Sequence, residues 1–175
     1  MNYCEIKKND IANGLGIRTT LFVSGCTHQC KGCFQPQTWN FAYGKAFTHD
    51  VENAILASLE PYYISGLTLL GGEPFEPRNQ EDLLAFLHRV KEAYPKKNIW
   101  AYSGYTLEQL FGKEPSRARC KYTDEMLSLI DVLVDGEFEE DKKDISLRFR
   151  GSANQRIIDM KKTLESGEIV LFELN

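Results

Sequence analysis

Apolar residues recur along this chain with two alternating periods. A β-branched run over residues 18–25 ends in glycine and predicts a strand. Between residues 48 and 60, Val51, Ile55 and Leu59 fall four residues apart, the stripe of an amphipathic helix. Residues 66–74, GLTLLGGEP, are a short apolar run closed by a glycine pair, which predicts a buried strand entering a tight loop. The segment 79–95 sets Leu83, Leu87 and Val90 on one face, with Asn79 as cap, acids in the first turn and Pro95 as stop; it predicts a helix. The alternation continues with a strand over 98–104, helices from Thr106 and from near Thr123, and a strand over 131–138. A helix from about Ser152 to Ser166 and a last strand over 168–174 complete it. Between Phe111 and Tyr122 the chain is charged and carries Gly112 and Pro115, which predicts an exposed loop.

Strands alternating with helices imply right-handed crossovers and a parallel sheet. A closed eight-unit barrel usually takes ~250 residues. With five or six strands in 175 residues, the expected fold is α/β with an open, mostly parallel sheet, either a partial (β/α) barrel or a doubly wound sheet. No repeat, low-complexity tract or linker divides residues 1–175, so a single domain is expected. Ligands of such sheets gather at the carboxyl ends of the strands. The loop after the strand at 18–25 and the Gly-Gly-Glu-Pro loop both lie at such ends and are expected to share one site.

Composition narrows the classes. The chain is 42% hydrophobic and 26% charged, with net charge −4 and pI near 5.5, and it has no long basic run. That argues against non-specific nucleic-acid binding. The start, MNYCEIKKND, lacks the apolar core of a signal peptide, and no apolar stretch reaches the ~18 residues of a membrane span. A cytoplasmic location without a membrane partner is expected. In that reducing compartment, five cysteines point to metal or redox chemistry.

Three of them, Cys26, Cys30 and Cys33, stand within VSGCTHQCKGCF in the spacing C-x3-C-x2-C. A loop of this length can hold three corners of a cubane iron–sulfur cluster and leave the fourth iron open for chemistry. The competing site is zinc completed by His28, Cys4 or Cys120. His28 lies inside the tight loop, where reaching the same metal would be strained, and it reads as a solvated loop residue. Cys4 and Cys120 are distant in sequence and read as bystanders in polar surface segments.

The cysteine loop followed by strand-borne GGEP resembles the radical S-adenosylmethionine enzymes. That superfamily usually has an aromatic residue just before the third cysteine; here Gly32 stands there and Phe34 follows. With NGLGIRTTLFVSGC before the loop, TWN after it, and DVLVDGEF and RGSANQR later, the chain from about Asp10 to Ile158 resembles the glycyl-radical enzyme activases that serve anaerobic ribonucleoside-triphosphate reductases. Leu15, where such activases typically have proline, and the loop 112–122, which looks like an insertion, depart from the pattern.

The resemblance implies a 4Fe–4S cluster on Cys26, Cys30 and Cys33, with S-adenosylmethionine on the open iron. It implies a 5′-deoxyadenosyl radical that takes a hydrogen from one glycine of the reductase large subunit, with a flavodoxin-like electron donor. Gly71 and Gly72 would let the backbone approach the cofactor's amino group, and Glu73 would accept a hydrogen bond from it. Gly32, Cys33 and Phe34 would border the adenine, unless Phe34 is a core aromatic. Ser103 and Asp135, at strand ends, would reach the ribose or methionyl group, or else act as caps. Asn154 and Arg156 are candidates for cofactor or partner contact, or else merely begin a helix, and Arg18 is a candidate for an ion pair or partner contact. The segment Arg150–Arg156 and the stretch Trp39–Tyr43 are candidate partner surface. Activation of a pyruvate formate-lyase type enzyme, small-molecule radical chemistry, or a non-enzymatic zinc or electron-transfer module stay open as alternatives.

Overall fold

In the computed structural model, which describes residues 1–174, the chain begins with a strand that its polar composition conceals. That strand, β1 (Asn2–Asp10), pairs antiparallel with β2 (Ile17–Val23) and with the two-residue β3 (Lys45–Ala46). There follow α1 (His49–Ser58), β4 (Ile64–Gly71), α2 (Pro77–Ala93), β5 (Asn98–Tyr102) and the short α3 (Leu107–Leu110). The chain continues through α4 (Thr123–Leu129), β6 (Val132–Asp135), β7 (Arg156–Asp159) and α5 (Met160–Ser166). One seven-stranded sheet results, ordered β3-β1-β2-β4-β5-β6-β7 from edge to edge.

The central strands β2, β4, β5 and β6 are parallel, and both flanks are antiparallel. A parallel return needs a crossover, usually a helix. α-Helices separate the central strands, but none lies between β1 and β2, and only a single 3-10 turn, Glu140–Lys142, lies between β6 and β7. The mostly parallel expectation therefore describes the centre of a mixed sheet.

The two-residue period of the strands divides the sheet faces. Leu21, Val23, Leu67, Leu69, Ile99, Ala101 and Leu133 join one buried cluster with apolar residues from all five helices. Their alternates, among them Phe22, Leu70, Trp100, Tyr102 and Val134, point to the helix-free face. Helices on a single face exclude the doubly wound alternative.

Several boundaries differ from the sequence reading. Asn79 is not the cap of α2: Pro77 stands in the first turn, where its missing N–H costs nothing, and Asn79 is buried inside the helix. The helix expected from Ser152 begins only at Met160, capped by the Asp159 side chain. Arg156–Asp159 instead pair antiparallel with β6, and this alternation places Ile158 in the main cluster and Ile157 on the other face. Residues 168–174 form no strand of the sheet; Leu171 makes a single bridge to Ile158. Nor is 111–122 simply exposed. Ala118 is buried, and its carbonyl accepts from Gln80 Nε2 at 2.7 Å. No helix among the described residues is long and apolar enough to cross a membrane.

Candidate active site

Two loops meet where β2 and β4 end. The cysteine loop leaves β2 through Gly25, whose φ of 103° only glycine adopts readily. It wraps through Gln29 and Gly32, also at positive φ, and turns with Cys33 N–H donating to the Cys30 carbonyl at 3.2 Å. The second loop leaves β4 through Gly71. Glu73 N–H donates to the Gly25 carbonyl at 2.8 Å, and Asn79 Nδ2 donates to the carbonyls of Ser24 and Glu73, each at 3.0 Å. Glu76 accepts from both Thr27 N–H and Thr27 Oγ1, at 2.8 and 2.7 Å. Asn79 and Glu76 thus clamp the two loops together. The sequence did carry a signal: Asn79 and Glu76 fall at helical spacing before Leu83, polar residues on the stripe that the helix buries.

Between the loops and the helix-free face of the sheet lies a cavity of about 480 Å³. Cys26, Cys30 and Cys33 all line it, with Gly71, Gly72 and Phe34. The volume falls in the range of small-molecule sites. Among the described residues, no three His, Cys, Asp or Glu side chains converge on one ion. A cubane does not require that, since each sulfur takes a different iron.

The thiols carry a further indication. Burial, with Glu73 nearby, pushes Cys26 up to about 12, and burial raises Cys30 as well, with Glu137 adding to it. Without metal both stay protonated. A bound cationic cluster reverses that balance, because thiolate ligation releases the protons. Sulfur donors in an acidic, half-buried cradle fit iron–sulfur ligation chemically. Cys4 and Cys120 do not line the cavity; their Sγ atoms face the Phe22 carbonyl at 3.4 Å and Gln80 Oε1 at 3.3 Å.

His28 is the main correction. It is not solvated: its side chain is 4% exposed, and its ring lies 4.3 Å from that of Tyr105. Nε2 is 2.7 Å from Glu73 Oε1 and Nδ1 is 2.8 Å from Glu137 Oε1. Burial opposes its charge, yet the two carboxylates raise it from 6.5 to about 9. Folding therefore holds a proton that the unfolded chain releases. The resulting stability is full below pH 6.5 and is lost as pH rises through 9. The metal-free protein should melt at steadily lower temperature across that interval, and His28→Gln should melt lower at pH 6 with a flatter profile; equal slopes in the two proteins would dismiss the pairing.

The remaining candidates divide. Glu73 lines the cavity, but its carboxylate is engaged by His28, Gly104 N–H at 2.7 Å, Phe75 N–H at 2.9 Å and Ser103 Oγ at 2.9 Å. Ser103 also lines it, while its hydroxyl bridges Glu73 and Tyr105 N–H. Phe34 is 65% exposed and stands 5.1 Å from Phe138 at the rim, which removes the core-aromatic alternative. Gly32 lies at the outer side of the loop against Glu140 and does not line the cavity.

Asp135 is turned away. It shares a face with Leu133, so its carboxylate sits on the helix side, accepting from Leu107 N–H at 2.8 Å and Arg156 Nε at 3.0 Å. Arg156 also pairs with Glu108 at 2.8 Å and is likewise absent from the cavity. Asn154 donates to the Glu137 carbonyl at 2.8 Å, and Gln155 to that of Gly136 at 3.0 Å, so RGSANQR is fastened onto DGEF. Arg18 makes neither an ion pair nor a surface contact. It is fully buried and donates to Thr68 Oγ1 and the carbonyls of Leu15, Leu67 and Asn98. In the stretch 39–43, Trp39 lines the cavity and Phe41 packs over Gly25, leaving Tyr43 partly exposed.

Known proteins share this frame. A family model described as a 4Fe-4S single cluster domain matches residues 12–158. The anaerobic ribonucleoside-triphosphate reductase-activating protein of Pasteurella multocida (strain Pm70) is 48% identical over 159 residues, 90% of this chain and 96% of that protein. The protein of that name from Escherichia coli (strain K12) is 41% identical over 157 residues, covering 89% and 96%. The one from Enterobacteria phage T4 is 39% identical over 157 residues, covering 90% and 93%. Likeness of this depth, spanning both site loops and nearly the whole sheet, makes the chain a member of the anaerobic ribonucleoside-triphosphate reductase-activating protein family.

Proposed function

We propose that this chain is a radical S-adenosylmethionine enzyme that installs the glycyl radical of an anaerobic ribonucleoside-triphosphate reductase. The observation that carries the reading is the meeting of Cys26, Cys30 and Cys33 with Gly71 and Gly72 on one cavity at the carboxyl end of a parallel sheet centre. When bound, a 4Fe–4S cluster and S-adenosylmethionine supply the one-electron chemistry that removes a hydrogen atom from a glycine Cα of the reductase large subunit.

The chain's own residues hold and shield. Cys26, Cys30 and Cys33 would hold the cluster as thiolates, and with three ligands from the chain one iron would remain for the cofactor. Gly71 and Gly72, lacking side chains, let the cofactor approach the backbone. Glu73, fixed by four donors, keeps that backbone rigid more than it offers a free oxygen. Phe34 presents a ring face for the adenine. Leu70, Val134, Phe138 and Phe149 make the walls apolar, which keeps water from a reactive site. On this reading the open sheet curves as a partial barrel, and the reductase's glycine loop covers the side that the chain leaves open. A flavodoxin-like protein would supply the electron. The chain acts as one domain in the cytoplasm, a location supported by five unpaired cysteines.

The test is anaerobic incubation of the reconstituted protein with S-adenosylmethionine, reductant and the reductase. Electron paramagnetic resonance should show a glycyl radical on the reductase, with 5′-deoxyadenosine formed in step with it and only slowly without the partner. A radical that appears on a pyruvate formate-lyase type enzyme instead, or fast turnover of a small metabolite with no protein partner, would sink the reading.

A further inference from the structure

The stretch that reads as an insertion, FGKEPSRARCKY from Phe111 to Tyr122, carries four cations and one carboxylate in a chain of net charge −4. Its backbone is pinned: Gln80 Nε2 donates to the Ala118 carbonyl at 2.7 Å, and Gln80 Oε1 accepts from Thr123 Oγ1 at 2.7 Å. Of the four cations, Arg119 is paired with Asp124. Lys113, Arg117 and Lys121 are exposed and have no carboxylate partner among the described residues. Each lies instead over an aromatic ring: Lys113 over Phe111 at 5.6 Å, Arg117 over Tyr105 at 5.9 Å and Lys121 over Tyr122 at 5.1 Å. A ring steadies a cation and leaves its charge facing water. Acids on neighbouring elements are engaged elsewhere, Glu108 with Arg156, Glu125 with His88 and Glu76 with Thr27, so Glu114 offsets only one of the three charges.

This cationic loop touches the cysteine loop. Arg117 Nε donates to Thr27 Oγ1 at 3.0 Å, and its Nη2 donates to the Thr27 carbonyl at 3.4 Å. Thr27 is exposed and directly follows Cys26, and neither Thr27 nor Arg117 lines the cavity. Arg117 therefore reaches the cysteine loop from outside. The other end of that loop, at Phe34, forms the cavity rim with Phe138. The two ends offer two approaches. One opens on the cavity, where a hydrogen atom is taken; the other leads across the loop's outer surface to Cys26, where an electron can enter. Electron transfer slows steeply with distance, so a donor protein has to dock beside a ligand.

We infer that the loop 112–122 is the docking surface for the protein that delivers the electron, and that this partner presents an acidic surface. The inference rests on the cluster reading proposed above. A chain of net charge −4 repels an acidic protein overall, and a cationic loop next to Cys26 offsets that repulsion locally and fixes the orientation of approach. The reductase's glycine loop is the weaker candidate for this surface, because Arg117 and Thr27 lie outside the cavity that it has to enter.

Lys113→Gln, Arg117→Gln and Lys121→Gln combined in one chain remove three charges and leave the aromatic rings in place. Stopped-flow reduction of the cluster-loaded protein by a reduced flavodoxin of low isoelectric point, at low salt, should be about tenfold slower than in wild type. The difference should vanish near about 1 M salt, where the Debye length is about 3 Å. Reduction by a photoreduced deazaflavin, a small uncharged donor, should run alike in both proteins, and iron per chain should be equal. A flavodoxin rate within about twofold of wild type at low salt overturns the inference, as does slowing that persists at high salt. Equal slowing with both reductants, or lost iron, overturns it too, by making the loop a support of the cluster. Wild-type protein that loads no cluster defeats the cluster reading and this inference with it, an outcome distinct from the others.

Discussion

Replacing any one of Cys26, Cys30 or Cys33 by Ala will leave the anaerobically purified protein nearly colourless and unable to activate a reductase, while Cys4→Ala and Cys120→Ala will keep their iron. The three loop thiols are the cysteines that line the cavity. Two thiolates hold a cubane poorly, and the site offers no ready substitute: His28 is locked between Glu73 and Glu137, and Glu76 is occupied by Thr27. Losing a supporting residue outside a metal's ligand set already costs about 10–100-fold, so losing a ligand should cost more than about a hundredfold in activation. Cys4 and Cys120 are half-buried beside protein acceptors, and Ala at either position removes a small, weakly bonded group. Iron and sulfide per chain decide the matter. A Cys120→Ala protein that lost its cluster, paired with a loop variant that kept it, would reassign the ligands.

What the sequence made legible is what local chemistry dictates. Leu67 and Leu69, or Leu83, Leu87 and Val90, bury themselves by their own period, and the cysteine spacing is covalent fact. The misreadings came where long-range pairing decides. β1 is mostly polar because much of it stays accessible, and only its ladder to β2 makes it a strand. Arg156–Asp159 could have continued into the following helix; pairing with β6 extends them instead. Asp135 stands at a strand end as expected, but one-residue alternation sends it to the helix side, a direction no motif specifies. His28 looked like a loop residue because both of its partners are distant, 45 and 109 positions along the chain. Arg18 shows the same limit: an arginine read for an ion pair or a partner proves to be a buried brace between strands.

Gly72→Val should lose the cluster as well as the cofactor. Taken from sequence, the glycine pair serves the approach of S-adenosylmethionine alone, which would leave the cluster intact in this variant. The packing adds a second constraint. A Cβ on Gly72 would lie 2.6 Å from the Gly25 carbonyl oxygen and 3.0 Å from that of Thr38. Both are backbone atoms, so no side chain can swing aside, and Gly25 immediately precedes Cys26. Glu73 N–H donates to that same Gly25 carbonyl, so forcing it away also breaks the hydrogen bond that joins the two loops. Overpacking of this kind costs about 1–3 kcal/mol in ordinary cores, and here it falls on the frame of a metal ligand. Gly72→Ala, which carries the same Cβ, should show a milder form of the same defect, with reduced iron retention after desalting and weaker S-adenosylmethionine binding. Gly72→Val should hold little iron at all. Full iron and sulfide in Gly72→Val, with only cofactor affinity lost, would show that the cysteine loop yields at no cost and that the glycine is reserved for the ligand.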